Sequence, residues 1–240
     1  MGEQGRAPPE IPAKPFPGEP SVMTTEPHIA SGLKAKSDIH LSRKITHALG
    51  VTLMAIVYNV VSIKVAWMIT VTACVAIIPL DLLRLSRPGL NRATHAVFGS
   101  IMRRHESNSL SGMSYLYLGC AFLLWLNVKP VVTLTLLFLA FGDPIASFFG
   151  IRYGKDRIIA NKTLQGTMAA FVVCMVISAS YYYFNNLMTE RLLIVVPLSG
   201  LIGALAELIP IGKLDDNFTF PVIGASLLWL LFKVYGGFAI

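Results

Sequence analysis

Seven apolar stretches, each close to 20 residues long, dominate this sequence of 240 residues. A helix needs about 20 apolar residues to cross the hydrocarbon core of a bilayer, and it satisfies its own backbone hydrogen bonds there. The alternating segments of ~10 residues that mark a transmembrane barrel are absent. The sequence therefore predicts an all-α, polytopic transmembrane bundle of about seven helices. The predicted spans are 45–63, 65–83, 110–127, 130–151, 164–184, 192–211 and 218–236.

The composition agrees with a membrane setting. Hydrophobic residues make up 54% of the chain and charged residues only 14%, against roughly 25% in soluble domains. The formal net charge is +7, but Lys and Arg are spread through short loops rather than clustered with aromatic residues. That distribution is typical of topology signals and phosphate ligands, not of a nucleic-acid surface. We therefore expect a multi-pass integral membrane protein with no nucleic-acid partner, and the sequence sets no oligomeric state.

The basic residues also predict the orientation of the chain. Across the predicted spans, 16 of the 20 Lys and Arg residues fall on one side of the membrane and 4 on the other. Basic loops stay in the cytoplasm. With seven spans, this places the N-terminus in the cytoplasm and the C-terminus outside. The polar clusters described below then all lie on the cytoplasmic face, where nucleotides are found.

Two polar regions flank or interrupt the apolar stretches. Residues 1–38 are rich in Pro, Glu, Lys and Ser, and we expect a disordered cytoplasmic tail ahead of a transmembrane domain at 39–240. The Arg-rich stretch 84–109 also carries apolar residues, which predicts a helix on the membrane surface. Asp81 with Arg84 is interpreted as a helix-end ion pair.

A first candidate cluster lies where the chain enters the membrane. On a helix, Arg43 and His47 are four residues apart and Lys44 and His47 are three apart, so the three side chains can present cations to one ligand. The alternative is a basic flank of a membrane helix with an incidental histidine.

A second cluster centres on Asp143, which is followed by Pro144 well inside the fourth apolar stretch. An Asp at the centre of a membrane helix costs about 2.5–3.5 kcal/mol on insertion scales, so such residues usually face a cavity and serve a function. Pro144 removes a backbone donor, which predicts a helix broken near Asp143 and Pro144, with the opened backbone lining a polar site. The alternative is a structural kink whose Asp pairs with a neighbouring helix.

Small and basic residues follow Asp143 along the chain. Glycines allow close approach of a phosphate, and a lysine can bind phosphate oxygens directly. The residues concerned are Gly150, Lys155, Lys162, Thr163 and Gly166. Neither a P-loop nor a GxGxxG motif is present, so any nucleotide site is of another kind.

A third cluster combines acids and an amide near the last span. Glu207, Asp215, Asp216 and Asn217 fall within eleven residues of an otherwise apolar region. Carboxylate and amide oxygens suit Mg²⁺. The alternative for the last three residues is a turn that caps the final helix.

The ordered set of these motifs resembles a known family. It resembles the membrane family of polyprenol, dolichol and phytol kinases and CTP-dependent diacylglycerol kinases over about residues 40–235. The residues that carry the resemblance are Arg43, Lys44 and His47; Glu106 before Ser111, Gly112 and Tyr115; Gly142, Asp143 and Pro144 with Ala146, Ser147 and Gly150; Lys162, Thr163 and Gly166; and Glu207 with Asp215, Asp216, Asn217 and Pro221.

The resemblance implies transfer of a phosphoryl group, usually from CTP with a divalent metal ion, to the hydroxyl of a membrane-resident lipid alcohol. It also implies that Arg43, Lys44, Asp143 and Gly150 belong to the functional core. One departure is Gln165, which stands where many relatives are expected to have Glu.

Each candidate residue then receives an expected role. Phosphoryl transfer requires mainly positioning and charge neutralisation. The expected ligands of Mg²⁺ or another divalent cation are Asp143, Glu207, Asp215 and Asp216. The expected nucleotide and phosphate ligands are Arg43, Lys44, Gly150, Lys155, Lys162, Thr163, Gly166 and Asn217. The expected catalytic residues are Asp143, His47 and Lys162, with Asp143 or His47 as the base that takes the proton of the lipid hydroxyl.

Other functions fit parts of the pattern. A cytidylyltransferase that makes a CDP-lipid needs the same metal and nucleotide pocket but a lipid phosphate acceptor. A small transporter also carries a broken helix with a buried Asp, but transporters bind their substrate near the membrane midplane and are often built from internal repeats. In this sequence the polar groups collect on one face of the membrane and no internal repeat is visible. A purely structural membrane protein has no reason to bury Asp143 and Glu207.

Overall fold

The structure of the protein is a computed structural model that describes residues 41–99, 102–212 and 214–238. In this part of the chain the helices are α1 (Leu41–Val60), α2 (Ile63–Ser86), α3 (Pro88–Phe98), α4 (Gly112–Leu126), α5 (Lys129–Leu137), α6 (Asp143–Tyr153), α7 (Leu164–Phe184), α8 (Leu192–Leu208) and α9 (Asp216–Tyr235). A two-stranded hairpin, β1 (Arg157–Ile159) and β2 (Lys162–Thr163), joins α6 to α7. The predicted tail at 1–38 lies outside the described residues, so its boundary stays a prediction.

The all-α bundle is confirmed, and each predicted span contains a helix. Five of the helical segments are long and apolar enough to cross a membrane. They are Ile63–Ser86, Lys129–Tyr153, Leu164–Phe184, Thr189–Leu208 and Asp216–Tyr235. The helix α4 is apolar but has only 15 residues, and α1 is not among the five.

The interruption predicted at Asp143 and Pro144 takes the form of a π turn. The turn covers Phe138–Gly142 between α5 and α6, so the chain stays helical from Lys129 to Tyr153. Pro144 lies in the first turn of α6, where its missing N–H is tolerated. The helix is therefore widened rather than opened, and Asp143 follows directly after the wide turn.

The core is built around α5 and the π turn. Val131, Leu134, Phe138 and Leu139 are fully buried there. The helix α1 packs on α5 and the π turn, α6 packs on α7, α7 packs on α8, and α9 packs on both α4 and α8. This arrangement brings α1, α6, α8 and α9 around one region.

Small residues allow the helices after the π turn to approach closely. A Cβ atom on Gly203 of α8 would lie 2.4 Å from the Cys174 Sγ atom of α7, and a Cβ atom on Gly142 would lie 3.0 Å from the same sulfur. Side chains at either glycine would push α7 away from its neighbours. The close packing fixes the π turn relative to α7 and α8.

The predicted surface helix is present as α3. Val97 and Phe98 are exposed, which leaves apolar side chains on the outside of this helix. Its position on a membrane surface stays a prediction. Arg84 instead lies in α2, where it is buried against Asp81.

Candidate active site

The hairpin meets the ends of two consecutive helices at Lys162. The Lys162 Nζ atom lies 2.7 Å from Glu207 Oε1 and 3.6 Å from Asp216 Oδ2. Lys162 stands in β2, Glu207 in the last turn of α8 and Asp216 at the first residue of α9. The hairpin and the α8–α9 connection therefore place one cation between two carboxylates.

Asp143 joins the second and third clusters to the first. Its charge acts on Lys44, His47, Lys162 and Glu207. The structure thus brings together residues of α1, α6, β2 and α8 that the sequence identified separately. We refer to Lys44, His47, Asp143, Lys162, Glu207 and Asp216 as the polar cluster.

Lys162 stays charged in spite of its burial. Burial by itself lowers the pKa of an ammonium group. Asp216, Glu207 and Asp143 outweigh that effect, and the pKa of Lys162 is raised above its usual value. The carboxylates of the polar cluster therefore favour the charged form of Lys162.

Glu207 has one oxygen atom available for a further ligand. Its Oε1 atom accepts the hydrogen bond from Lys162, while its Oε2 atom is buried without a hydrogen-bond partner among the described residues. Leaving a buried acceptor unsatisfied costs about 1–3 kcal/mol, and more for a charged group. A cation or a ligand donor at Oε2 would remove that cost.

The carboxylates suit a metal ion that is shared with a substrate. Across 41–99, 102–212 and 214–238, no group of three or more His, Cys, Asp or Glu side chains is arranged to hold a metal ion alone. Mg²⁺ usually binds through one or two carboxylates together with substrate phosphates and water. The unsatisfied Glu207 Oε2 atom beside Asp216 and Asp143 fits such a site.

The π turn gives His47 a defined orientation. In a π turn each N–H bonds to the carbonyl five residues earlier, and the residue five positions after Leu139 is Pro144, which has no N–H. The main chain of Leu139 hydrogen bonds to His47 instead. The His47 Nε2 atom is buried without a hydrogen-bond partner in the described part of the chain.

Lys44 presents a second cation to the cluster. Its Nζ atom is buried, has no hydrogen-bond partner among the residues described, and lies 5.7 Å from the centroid of the Phe148 ring. The charges of Asp143 and Arg103 both act on it. An ammonium group in this setting suits an anionic ligand.

Arg43 and Asn217 meet at Gly112, beside the polar cluster. The Arg43 Nη1 atom lies 2.7 Å from Glu106 Oε1. The Asn217 Nδ2 atom donates to the Gly112 carbonyl over 2.9 Å. Both predicted phosphate ligands are therefore held by neighbouring groups of the protein.

Asp215 is occupied by structural contacts. Its side chain caps α9 by accepting the Asn217 N–H over 3.0 Å, and its other oxygen lies 3.3 Å from Arg103 Nη1. The capping alternative stated for this turn is present at Asp215. Its role as a metal ligand stays a prediction. Arg103 was not predicted as a site residue, although it belongs to the Arg-rich stretch.

Gly150 and Gly166 form the crossing of α6 and α7. A Cβ atom on Gly166 would lie 2.7 Å from the Ala146 carbonyl oxygen, and one on Gly150 would lie 3.0 Å from Thr163 Oγ1. Thr163 caps α7 by accepting the Gly166 N–H. All three residues thus have a packing role that sets the position of Lys162, and direct phosphate binding by them stays a prediction.

Gln165 holds the loop that contains Lys155. Its Oε1 atom accepts the Lys155 N–H over 3.0 Å, and its Nε2 atom donates to Asp156 Oδ2 over 2.9 Å. The Lys155 side chain is exposed, and its role in phosphate binding stays a prediction. The amide at Gln165 therefore has a structural function that needs both an acceptor and a donor.

Asp81 and Arg84 anchor the loop beside the cluster. Their side chains lie 2.5 Å apart and are buried. Asp81 Oδ2 accepts the Ser111 N–H, and Arg84 donates to the main-chain carbonyls of Glu106 and Ser109, each over 2.8 Å. The predicted helix-end ion pair therefore orders the loop that precedes α4.

Several known proteins are similar in sequence to this chain. No family model matches the chain, and no solved structure matches it. The chain is 30% identical to CTP-dependent diacylglycerol kinase 1 of Schizosaccharomyces pombe over 63% of this chain and 74% of that protein. It is 32% identical to CTP-dependent diacylglycerol kinase 1 of Eremothecium gossypii, over 78% of this chain and 65% of that protein. It is 33% identical to dolichol kinase of Saccharomyces cerevisiae, over 50% of this chain and 22% of that protein.

The match covers less than two thirds of the length of the Eremothecium gossypii kinase and of the dolichol kinase. The Schizosaccharomyces pombe kinase is matched over most of its length at 30% identity. Together with a helical membrane bundle and a polar cluster of cations and carboxylates, this similarity shows the family. The chain belongs to the lipid-alcohol kinase family, which includes CTP-dependent diacylglycerol kinases and dolichol kinase.

Proposed function

We propose that this protein transfers the terminal phosphate of CTP to the hydroxyl group of a lipid alcohol, such as diacylglycerol, dolichol, polyprenol or phytol. The observation that carries the proposal is the polar cluster, in which Lys44 and Lys162 lie among Asp143, Glu207 and Asp216. Such a cluster, with Glu207 and Asp216 at helix ends and Lys162 in the hairpin, suits a water-soluble triphosphate and a bilayer-resident acceptor. The names of the relatives support CTP as the donor.

The cations of the cluster would bind the triphosphate. Phosphoryl transfer depends mainly on positioning and on neutralising charge that spreads over phosphate oxygens. Lys44 and Lys162 carry ammonium groups at the centre, and Arg43 lies at the edge on the same end of α1. A lysine acts as a point charge on phosphate, whereas arginine binds it through two parallel hydrogen bonds.

The carboxylates would hold the divalent cation. Glu207 and Asp216, with Asp143 beside them, would share Mg²⁺ with the nucleotide. A bound Mg²⁺ would neutralise charge on the phosphate oxygens. Asp215 would have to leave Arg103 to join this group.

His47 is the proposed base. Its Nε2 atom has no hydrogen-bond partner among the described residues, so the hydrogen bond to the Leu139 main chain comes from the other ring nitrogen. When that other nitrogen carries the proton of the neutral ring, Nε2 can accept one. The lipid oxygen would form a bond to the terminal phosphorus while the bond from that phosphorus to CDP breaks. The hydroxyl proton would pass to His47 Nε2. Asp143 would then serve the metal ion.

The proposed orientation places this site in the cytoplasm. The 16 to 4 split of Lys and Arg residues puts the loop at Lys155 and the N-terminus on the cytoplasmic side. The acceptor would then reach the cluster from the cytoplasmic leaflet.

The test is a transfer assay with purified protein in mixed micelles. Terminally radiolabelled CTP and ATP are each offered with Mg²⁺ and one lipid from a panel of diacylglycerol, dolichol, polyprenol and phytol. We expect label in a lipid monophosphate and release of CDP. With a lipid phosphate as the acceptor, formation of a CDP-lipid and release of labelled pyrophosphate would identify a cytidylyltransferase instead. No labelled lipid from any alcohol with either nucleotide would contradict the proposal.

A further inference from the structure

Arg43 is anchored by a residue from a distant part of the chain. Its Nη1 atom lies 2.7 Å from Oε1 of Glu106, which is 63 residues away in sequence. The Glu106 side chain is 3% exposed and the Arg43 side chain 16%. The pair is thus almost entirely removed from water.

The backbone that carries Glu106 is itself fixed. Arg84 donates to the Glu106 carbonyl over 2.8 Å, and Asn91 Nδ2 donates to the Ser107 carbonyl over 3.0 Å. Arg84 is in turn bonded to Asp81 and to the Asn91 side chain. Side chains of α2 and α3 therefore hold the backbone that carries the Glu106 carboxylate.

Gly112 provides the space in which Arg43 lies. A Cβ atom at this position would come within 2.8 Å of Arg43 Nη2 and within 2.7 Å of Asn217 Nδ2. It would also lie 3.6 Å from Glu106 Oε1. A glycine at this point lets the guanidinium sit directly against the start of α4.

A buried ion pair usually adds little to the free energy of unfolding. The desolvation of two charges often cancels their attraction, so replacing such a pair by apolar residues is frequently neutral or stabilising. A fixed guanidinium is useful when it must bind a ligand, because the cost of ordering the side chain is then met before binding.

We propose that Glu106 is a positioning residue that holds the Arg43 guanidinium at the edge of the polar cluster for the phosphates of the nucleotide. This inference rests on the proposed function. Glu106 acts through Arg43 and does not itself contact the nucleotide. Because the guanidinium is planar, anchoring Nη1 fixes the direction of its remaining nitrogen atoms.

The first measurement compares Glu106→Gln with a matched control, Glu190→Gln. The control makes the same chemical change at an exposed glutamate in the turn before α8, outside the polar cluster and the contacts that hold Glu106. For E106Q we expect the Kd for CTP to rise by about 10-fold or more, since charge-assisted anchoring is lost. Glu106→Asp should recover part of the affinity. For E190Q we expect an unchanged Kd.

The second measurement tests whether Glu106 acts through Arg43. The Kd for radiolabelled CTP is measured by equilibrium dialysis for wild type, R43Q, E106Q and the double variant, which requires no turnover. We expect E106Q to change the Kd by less than about twofold once Arg43 is Gln, because coupled residues are not additive. The same full loss in both backgrounds, or a wild-type Kd in E106Q, would overturn the inference while wild-type lipid phosphorylation stands. A wild-type protein that neither binds CTP nor phosphorylates a lipid overturns the proposed function itself.

Discussion

At the scale of single residues, the polar cluster depends on contacts between side chains that are far apart in sequence. Lys162, a predicted phosphate ligand, donates to Glu207, a predicted metal ligand, across 45 residues of sequence. Pairings of this kind depend on how α8 meets the hairpin, which no local pattern encodes. Glu106 was visible only as part of a motif, and its partner Arg43 became clear only in three dimensions.

Asp143→Asn tests the centre of the polar cluster. The change keeps the size of the side chain but removes the charge that acts on Lys162 and Glu207. If Asp143 serves the metal ion, transfer should fall by at least ~100-fold while the folded protein is retained. Thermal stability and specific activity are measured on the same sample. Normal activity per folded molecule would contradict the assignment.

His95 gives a pH dependence of stability that can be isolated. Burial and the neighbouring Arg84 lower the pKa of His95 below its usual value near 6.5, although Glu106 acts in the opposite direction. The unfolded chain therefore takes up a proton before the folded protein does, and stability falls as the pH drops below about 6.5. We expect the unfolding temperature of His95→Gln to fall less between pH 7.5 and pH 5.5 than that of wild type. Parallel pH curves for the two proteins would contradict this prediction.

At the scale of helices and turns, apolar length predicted where the helices lie but not how they meet. The π turn at Phe138–Gly142 ends just before Pro144, and a proline is equally compatible with a kink or an open break. The choice depends on partners such as His47, which supplies a hydrogen bond to Leu139. Glycines predicted for phosphate binding also proved to lie at a helix crossing.

Gly166→Ala tests that crossing. Its Cβ atom would lie 2.7 Å from the backbone oxygen of Ala146, so α6 and α7 must separate. Overpacking of this kind costs about 1–3 kcal/mol, and the displaced hairpin should reduce transfer through Lys162. The matched control is Gly50→Ala in α1, where a Cβ atom meets nothing within 4 Å. We expect the control to keep its activity and to be as stable as wild type or more so. Equal stability of the two variants would show that the crossing tolerates a side chain.

At the scale of the whole molecule, the chain is a helical membrane bundle whose helices differ in length and hydropathy. Five segments are long and apolar enough to cross a bilayer by themselves. The helix α4 has 15 residues, about 22 Å at 1.5 Å per residue, and is shorter than the ~30 Å hydrocarbon core. It packs against α2 and α9, so its neighbours rather than its length would hold it in the bilayer. The number of apolar stretches can be read from the sequence, but the packing of α2 and α9 against α4 cannot.

The orientation can be tested with single cysteines. The three native cysteines, Cys74, Cys120 and Cys174, are first replaced by Ala, and the activity of this background is checked. Lys155→Cys then reports the loop between α6 and β1, and Asn127→Cys reports the turn between α4 and α5. Because one span separates these positions, a membrane-impermeant maleimide should label Lys155→Cys in sealed membrane vesicles whose cytoplasmic face is outward, and Asn127→Cys only after detergent is added. Labelling of both in sealed vesicles would mean that Lys129–Tyr153 does not cross the membrane. A reversed pattern would place the polar cluster outside the cytoplasm, where the proposed donor CTP is absent.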